Sequence, residues 1–218
     1  RDTNSLKYDF AVERGKPEGV LPLWVADMDM RAPIEVRKSL AEAAEHGIFG
    51  YSEAKPRYFE AVKQWMETWH HWSPQQEWLV KTPGIVYAAA AAVHAFTKEG
   101  EGCMMHNPGY YSIAQVVQDT GRVLVDSPLK EENGYYTMDF EDMEQKMASG
   151  KVKLFILVNP HNPVGRVWKK EELERLGELC VKYGVLIFSD EIHEDFVYPG
   201  YEHIVMAGMD GEKYRDIT

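Results

Sequence analysis

The sequence predicts an α/β fold with a mainly parallel sheet covered by helices on both faces. Three observations point to it. Short apolar runs at residues 103–106, 154–158 and 185–188 alternate with segments of ten or so residues patterned as helices. Strands spaced by helices in this way pair in parallel, and the run at 185–188 has the unbroken apolar character of a strand buried on both sides. At 218 residues and 44% hydrophobic content, the chain is also large enough to bury the core such a sheet needs.

The elements follow in order. Residues 1–30 read as irregular, with an apolar burst at 21–25. A helix begins at Pro33, a residue suited to a first helical turn, and stops at Gly47, a good terminator. Glycines and aromatics crowd Gly47-Ile48-Phe49-Gly50-Tyr51. Ser52 is placed to cap a second helix, in which Tyr58, Val62, Trp65, Met66 and Trp69 recur at helical spacing. A strand is expected at 78–80, then a helix at 85–97 with an interior of alanines from Ala88 to Ala92. Strands at 103–106 and 123–125 flank a helix at 112–120. Helices at 139–147 and 170–183 flank the strand at 154–158, and the strand at 185–188 follows.

Acidic residues outnumber basic ones 35 to 24, for a formal charge of −11. Phosphate backbones and anionic membranes repel such a chain, which argues against a nucleic-acid or membrane partner. The two cysteines, Cys103 and Cys180, lie far apart in apolar stretches and read as buried thiols of a reducing compartment. The first residues hold no apolar signal core, and the longest near-apolar run, residues 85–96, is too short to span a bilayer. The expectation is a cytoplasmic protein.

In a parallel sheet covered on both faces, ligands gather beyond the carboxyl ends of the strands. Four motifs stand there or at a helix start. Asn159-Pro160-His161-Asn162-Pro163-Val164-Gly165 follows the strand at 154–158. A lone Asn-Pro pair reads as a stiffened turn whose Asn bonds the local backbone, but two pairs and a glycine at a strand end are unusual. Asn162 can donate a neutral hydrogen bond to an anionic oxygen. Ser189-Asp190-Glu191-Ile192-His193 follows the last strand. A carboxylate at the end of a buried strand is costly unless it meets a cation or several donors. Asp190 therefore reads equally as a turn cap, as one member of a metal set with Glu191, His193 and Asp195, or as the partner of an organic cofactor. Thr82-Pro83-Gly84-Ile85-Val86 opens a helix whose free N–H groups can hold a phosphate. Asn107-Pro108-Gly109-Tyr110-Tyr111 puts a tyrosine at a strand end, where it either packs or stacks on a flat ring. Adjacent His70 and His71 point in different directions on a helix and make poor joint ligands. Asp27 and Asp29 can share a cation on an extended segment, with nothing nearby to support it.

Taken together, the four motifs in this order resemble the fold type I superfamily of pyridoxal-phosphate enzymes, aminotransferase class I/II, over essentially the whole chain. Thr3-Asn4-Ser5-Leu6-Lys7-Tyr8-Asp9, Leu23-Trp24-Val25-Ala26-Asp27-Met28-Asp29-Met30 and the Gly47–Tyr51 cluster are similar to the cystathionine β-lyase or C–S lyase branch. The resemblance implies that residues 1–46 contribute to a small domain and that residues 47–218 form part of the large cofactor-binding domain. It implies pyridoxal 5'-phosphate as cofactor, with Asp190 on the pyridine nitrogen and Asn162 and His193 on the ring 3′-oxygen. His193 stands where many relatives carry a tyrosine. Tyr110 would stack on the ring, and the amides of Gly84, Ile85 and Val86 would hold the phosphate. Tyr51 would reach the phosphate of a neighbouring subunit, which implies a homodimer. The lysine that holds the cofactor covalently, and the arginine that grips the substrate carboxylate, are expected beyond Thr218. The implied activity is C–S β-lysis of cystathionine or related L-cysteine S-conjugates. An aminotransferase is the alternative, and a non-catalytic protein that keeps the fold is a third.

Overall fold

The structure, a computed structural model, describes residues 2–23 and 26–218. Trp24 and Val25, which belong to one of the segments similar to the lyase branch, lie outside the described residues. The chain forms two compact units, Arg1–Glu53 and Ala54–Thr218.

In the first unit, helix α1 spans Ile34–His46, between Pro33 at its N-cap and Gly47 in the left-handed region at φ 72°. Glycine takes that conformation without steric cost, so the helix stops there. Asp27 and Asp29 do not wait for an external cation. The Lys7 ammonium donates to the Asp27 carbonyl at 2.9 Å and to the Asp29 carboxylate at 3.1 Å, and the Tyr8 hydroxyl donates to Asp29 at 2.7 Å.

The second unit opens with α2, Pro56–Trp69. Ser52 is not its cap: Lys55 holds that position in an extended conformation and Pro56 starts the helix, its missing N–H costing nothing in the first turn. Helix α3 (Ile85–Phe96) leads to β1 (Gly102–Asn107), α4 (Tyr111–Asp119) and β2 (Val123–Pro128). A hairpin of β3 (Lys130–Glu132) and β4 (Tyr135–Thr137) follows, then α5 (Phe140–Ala148), β5 (Val152–Val158), α6 (Lys170–Tyr183) and β6 (Leu186–Asp190). The expected strand at 78–80 is absent; Gln76–Trp78 is a single 3-10 turn. Its apolar character has another use, because Trp78 stacks on Trp72 with ring centroids 6.2 Å apart and planes at 19°.

The main sheet has the order β2-β1-β5-β6, and every pairing is parallel. Two-residue periodicity explains why its central strands are apolar throughout. Met104, Phe155, Leu157 and Ile187 face a core closed by Met143 and Met147 of α5 and by Leu173 and Leu176 of α6. Cys103, Met105, Leu154 and Ile156 face the opposite core, closed by Ala89 and Val93 of α3 and Ile113 and Val117 of α4. Each such large side chain contributes about 1.5–3 kcal/mol by leaving water. Burial pushes the Cys103 thiol up to about 11 and the Cys180 thiol to about 12, so both remain protonated core residues. Among the described residues no helix is long and apolar enough to cross a membrane.

Candidate active site

Because β1, β5 and β6 are neighbours and parallel, their carboxyl ends emerge along one edge of the sheet. The loops they feed are Asn107–Tyr111, Asn159–Gly165 and Asp190–His193, three of the four motifs singled out in the sequence. The fourth begins α3, which packs against both β5 and β6.

The two asparagines of the Asn-Pro repeat do different work. Asn159 is fully buried; its side-chain oxygen accepts from the Trp168 amide at 3.1 Å and its amide group donates to the Ile204 carbonyl at 3.3 Å. That is the local backbone role expected of a turn asparagine, here reaching further along the chain. Beyond it the loop closes on itself, with the His161 amide donating to Arg166 at 2.7 Å and the Gly165 amide donating to His161 at 2.8 Å. Asn162, inside that loop, is half-buried, and its side chain has no hydrogen bond among the described residues. It remains available to a ligand.

Asp190 is 2% exposed and accepts one side-chain hydrogen bond, from the Ile192 amide at 3.2 Å. No lysine or arginine among the described residues pairs with it. Burial pushes its carboxyl above the ordinary aspartate range, with the Ile192 amide and His193 pulling the other way. Leu186 and Phe188 pack on the core that α3 and α4 cover, so the strand period directs Asp190 to that same face. Glu191 turns elsewhere. It accepts from the Ser189 hydroxyl at 2.6 Å and the Met206 amide at 3.1 Å, and lies 3.0 Å from His203 Nε2. Asp195 lies against His70 and Trp65. The grouping of Asp190, Glu191, His193 and Asp195 around one metal is therefore not what forms. His193 is half-buried, and its one ring contact among the described residues is with Phe196, edge-on, with centroids 6.3 Å apart.

At the start of α3, Gly84 is the N-cap residue, and no side chain caps the helix. The first intrahelical bond runs from the Ala88 amide to the Gly84 carbonyl, so the amides of the first turn remain open to an outside acceptor. Tyr110 occupies the N-cap of α4 and meets Tyr111 edge-on at 5.6 Å. The preceding Gly109 is required sterically, because a Cβ there would lie 2.3 Å from the His106 carbonyl oxygen. Tyr51 lies in the first unit with its side chain exposed.

A recess of about 730 Å³ adjoins this edge, lined by Asn162, Arg166, His193, Phe196, Tyr198 and neighbouring residues. It takes in Asn162 and His193 but not Asp190, Tyr110 or the start of α3. It is a side chamber of the strand-end site and not the whole of it.

Several residues around the site were not legible as such. Arg166 stacks on Trp168 and Tyr135, pairs with Glu172 and donates to the Tyr136 carbonyl. His106 and His161 lie beneath the loops with ring centroids 5.9 Å apart, both against Trp168. Burial pushes His106 down to about 3 and His161 to about 4, so both are neutral near pH 7. A polar residue at the end of an otherwise apolar run, as His106 ends residues 103–106, is the sequence signal that points to it.

Residues 18–215 match the family model described as aminotransferase class I and II. The chain is 42% identical to cystathionine β-lyase PatB of Bacillus subtilis over 99% of its own length and 56% of that protein. Among solved structures, cystalysin of Treponema denticola, which contains pyridoxal 5'-phosphate, superposes with a TM-score of 0.93 at 36% identity, over 100% of this chain and 56% of that one. The PLP-bound C–S lyase of Staphylococcus hominis gives 0.88 at 33% identity, over 95% and 53%. The chain thus spans about half the length of the relatives it matches. It belongs to the aminotransferase class I and II family.

Proposed function

We propose that this chain carries the cofactor-binding part of a pyridoxal-phosphate-dependent C–S β-lyase acting on cystathionine or related L-cysteine S-conjugates. One observation carries the reading: Asp190 is a buried carboxylate without a cationic partner among the described residues, raised by its own burial, at the end of a parallel strand. Such a group is costly alone and becomes favourable beside a cation, which a protonated pyridine nitrogen supplies. The names of the similar proteins support the same cofactor and reaction class.

Pyridoxal phosphate bound here supplies an electron sink for the pair left when the Cα–H bond of an amino acid breaks. Asp190 would keep the proton on the pyridine nitrogen. Glu191, held by Ser189, Met206 and His203, fixes the backbone directly after it. Asn162 and His193, whose side chains make no hydrogen bond among the described residues, would donate to the ring oxygen. The amides of Gly84, Ile85 and Val86, with the positive end of α3, would bind the phosphate. Tyr110 would lie against the ring. In the full-length protein a lysine beside the cofactor would take the Cα proton, the thiolate would leave from Cβ as the Cα–Cβ double bond forms and would pick up a proton, and water would hydrolyse the resulting enamine to pyruvate and ammonia. Tyr51 would serve the site of a second subunit in a cytoplasmic homodimer.

The test is to supply the full-length protein with L-cystathionine and no 2-oxo acid, and to follow pyruvate and free thiol. Release of both over many turnovers is expected. Arrest after about one equivalent would make the protein an aminotransferase instead.

A further inference from the structure

Beyond the carboxyl end of β6, five metal-ligating side chains converge from three parts of the second unit. His70 caps the C-terminus of α2, Glu191, Glu194 and Asp195 line the turn after β6, and His203 lies in the segment that follows. The His70 and His203 rings meet edge-on with centroids 5.7 Å apart. His70 Nε2 lies 2.8 Å from an Asp195 carboxylate oxygen and 3.9 Å from one of Glu194. The donor atoms of His70, Glu194 and Asp195 all fall within 4.8 Å of one another, as do those of Glu191, Glu194 and His203.

Four features set this cluster apart from an ordinary ion-pair group. No lysine or arginine among the described residues pairs with any of its carboxylates, so three acids face two imidazoles. The C-terminal end of α2 adds further negative potential at His70. Both histidines are more than nine-tenths buried, and each keeps an Nδ1 without a hydrogen-bond partner among the described residues. Among the described residues the Glu194 carboxylate makes no closer hydrogen bond or ion pair than the 3.9 Å to His70.

We propose that His70, Glu194 and Asp195 form a site for a zinc-like divalent metal ion, backed by Glu191 and His203. Tetrahedral zinc, with bonds of about 2.0–2.2 Å, places its ligand atoms roughly 3.3 Å apart. The separations of 2.8 and 3.9 Å from His70 bracket that value, so a small shift of two side chains completes the coordination. A donor set of imidazole and carboxylate favours zinc, cobalt or manganese over magnesium and calcium, which prefer oxygen alone. Trp65 Nε1 donates to the same Asp195 oxygen at 3.0 Å and orients that carboxylate, whose side chain is 46% exposed and gives the ion a way in. The ion would staple the end of α2 to the turn that carries His193. Its ligands are not the residues that would touch the cofactor, although Asp195 also lines the recess that holds Asn162 and His193.

The experiment is a calorimetric titration of the chelator-stripped protein with zinc chloride, paired with the visible spectrum on adding cobalt chloride. One ion per chain, an intense cobalt d–d band and a Tm raised by about 5 °C at a hundredfold excess over Kd are expected. Glu194→Gln and Asp195→Asn, each isosteric, should both weaken zinc binding at least about 10-fold and abolish the cobalt band. His46→Gln, a change at an exposed histidine of the first unit, should leave both unchanged. Absence of binding, binding indifferent to the two carboxylate changes, or binding lost in the His46 variant would overturn the proposal.

Discussion

The Asn159 amide donates to the Asp190 carbonyl at 2.9 Å, which carries the β5–β6 ladder one step past the strand pairing of Val158 with Asp190. The loop bearing Asn162 and the carboxylate of Asp190 therefore leave the sheet at the same level. The Asn159 side chain holds the arrangement from the other direction through Trp168 and Ile204.

Asn159→Ala removes both side-chain bonds and leaves the buried Trp168 amide and the Ile204 carbonyl of a half-buried residue without their partner. The expected loss is on the order of 2–4 kcal/mol of unfolding free energy by urea titration. Asn159→Asp keeps the acceptor for Trp168 but sets a buried carboxylate oxygen against the Ile204 carbonyl, and should lose at least as much as the alanine variant. A variant as stable as the parent would show that the loop is held by other means.

The neutral histidines beneath the loop make a pH prediction. His106 titrates near 3 in the folded chain and at about 6.5 when unfolded, so between these values the unfolded state binds a proton that the folded state does not. Stability should therefore fall as pH drops below about 6.5, by up to roughly 1.4 kcal/mol per pH unit for this residue. His161, near 4 when folded, acts in the same direction. Asp190, raised by burial, acts in the opposite one. His106→Gln should lower the loss of unfolding free energy measured between pH 7 and pH 5. An unchanged loss would mean that His106 is hydrated or charged in the native state.

Much of the fold could be read in advance because its signals are local. Unbroken apolar runs marked β1, β5 and β6, and α6 was bounded at Lys170 and Tyr183, with Gly184 in the left-handed region just after it. The failures have local causes as well. Trp78 was apolar enough for a strand but packs on Trp72, and Ser52 was a better cap by type than Lys55 but had no proline beside it. The β3–β4 hairpin was missed although Asn133-Gly134, both at positive φ, is a strong turn signal. At the site, the strand-end motifs were visible because topology delivers them to one edge. The division of labour between Asn159 and Asn162 was not, because it depends on Trp168 and Ile204. Nor was the approach of His70 to Asp195, since 125 residues separate them and no pattern in either segment names the other.

Asp190 is the residue on which the account stands, and its replacement by alanine in the full-length protein is the direct measurement. Cofactor affinity and turnover of L-cystathionine would be followed together with the thermal midpoint. The account predicts a fold that persists, since a strained buried charge has been removed, with turnover reduced by at least about 100-fold. Near-normal turnover in the Asp190→Ala protein would contradict it.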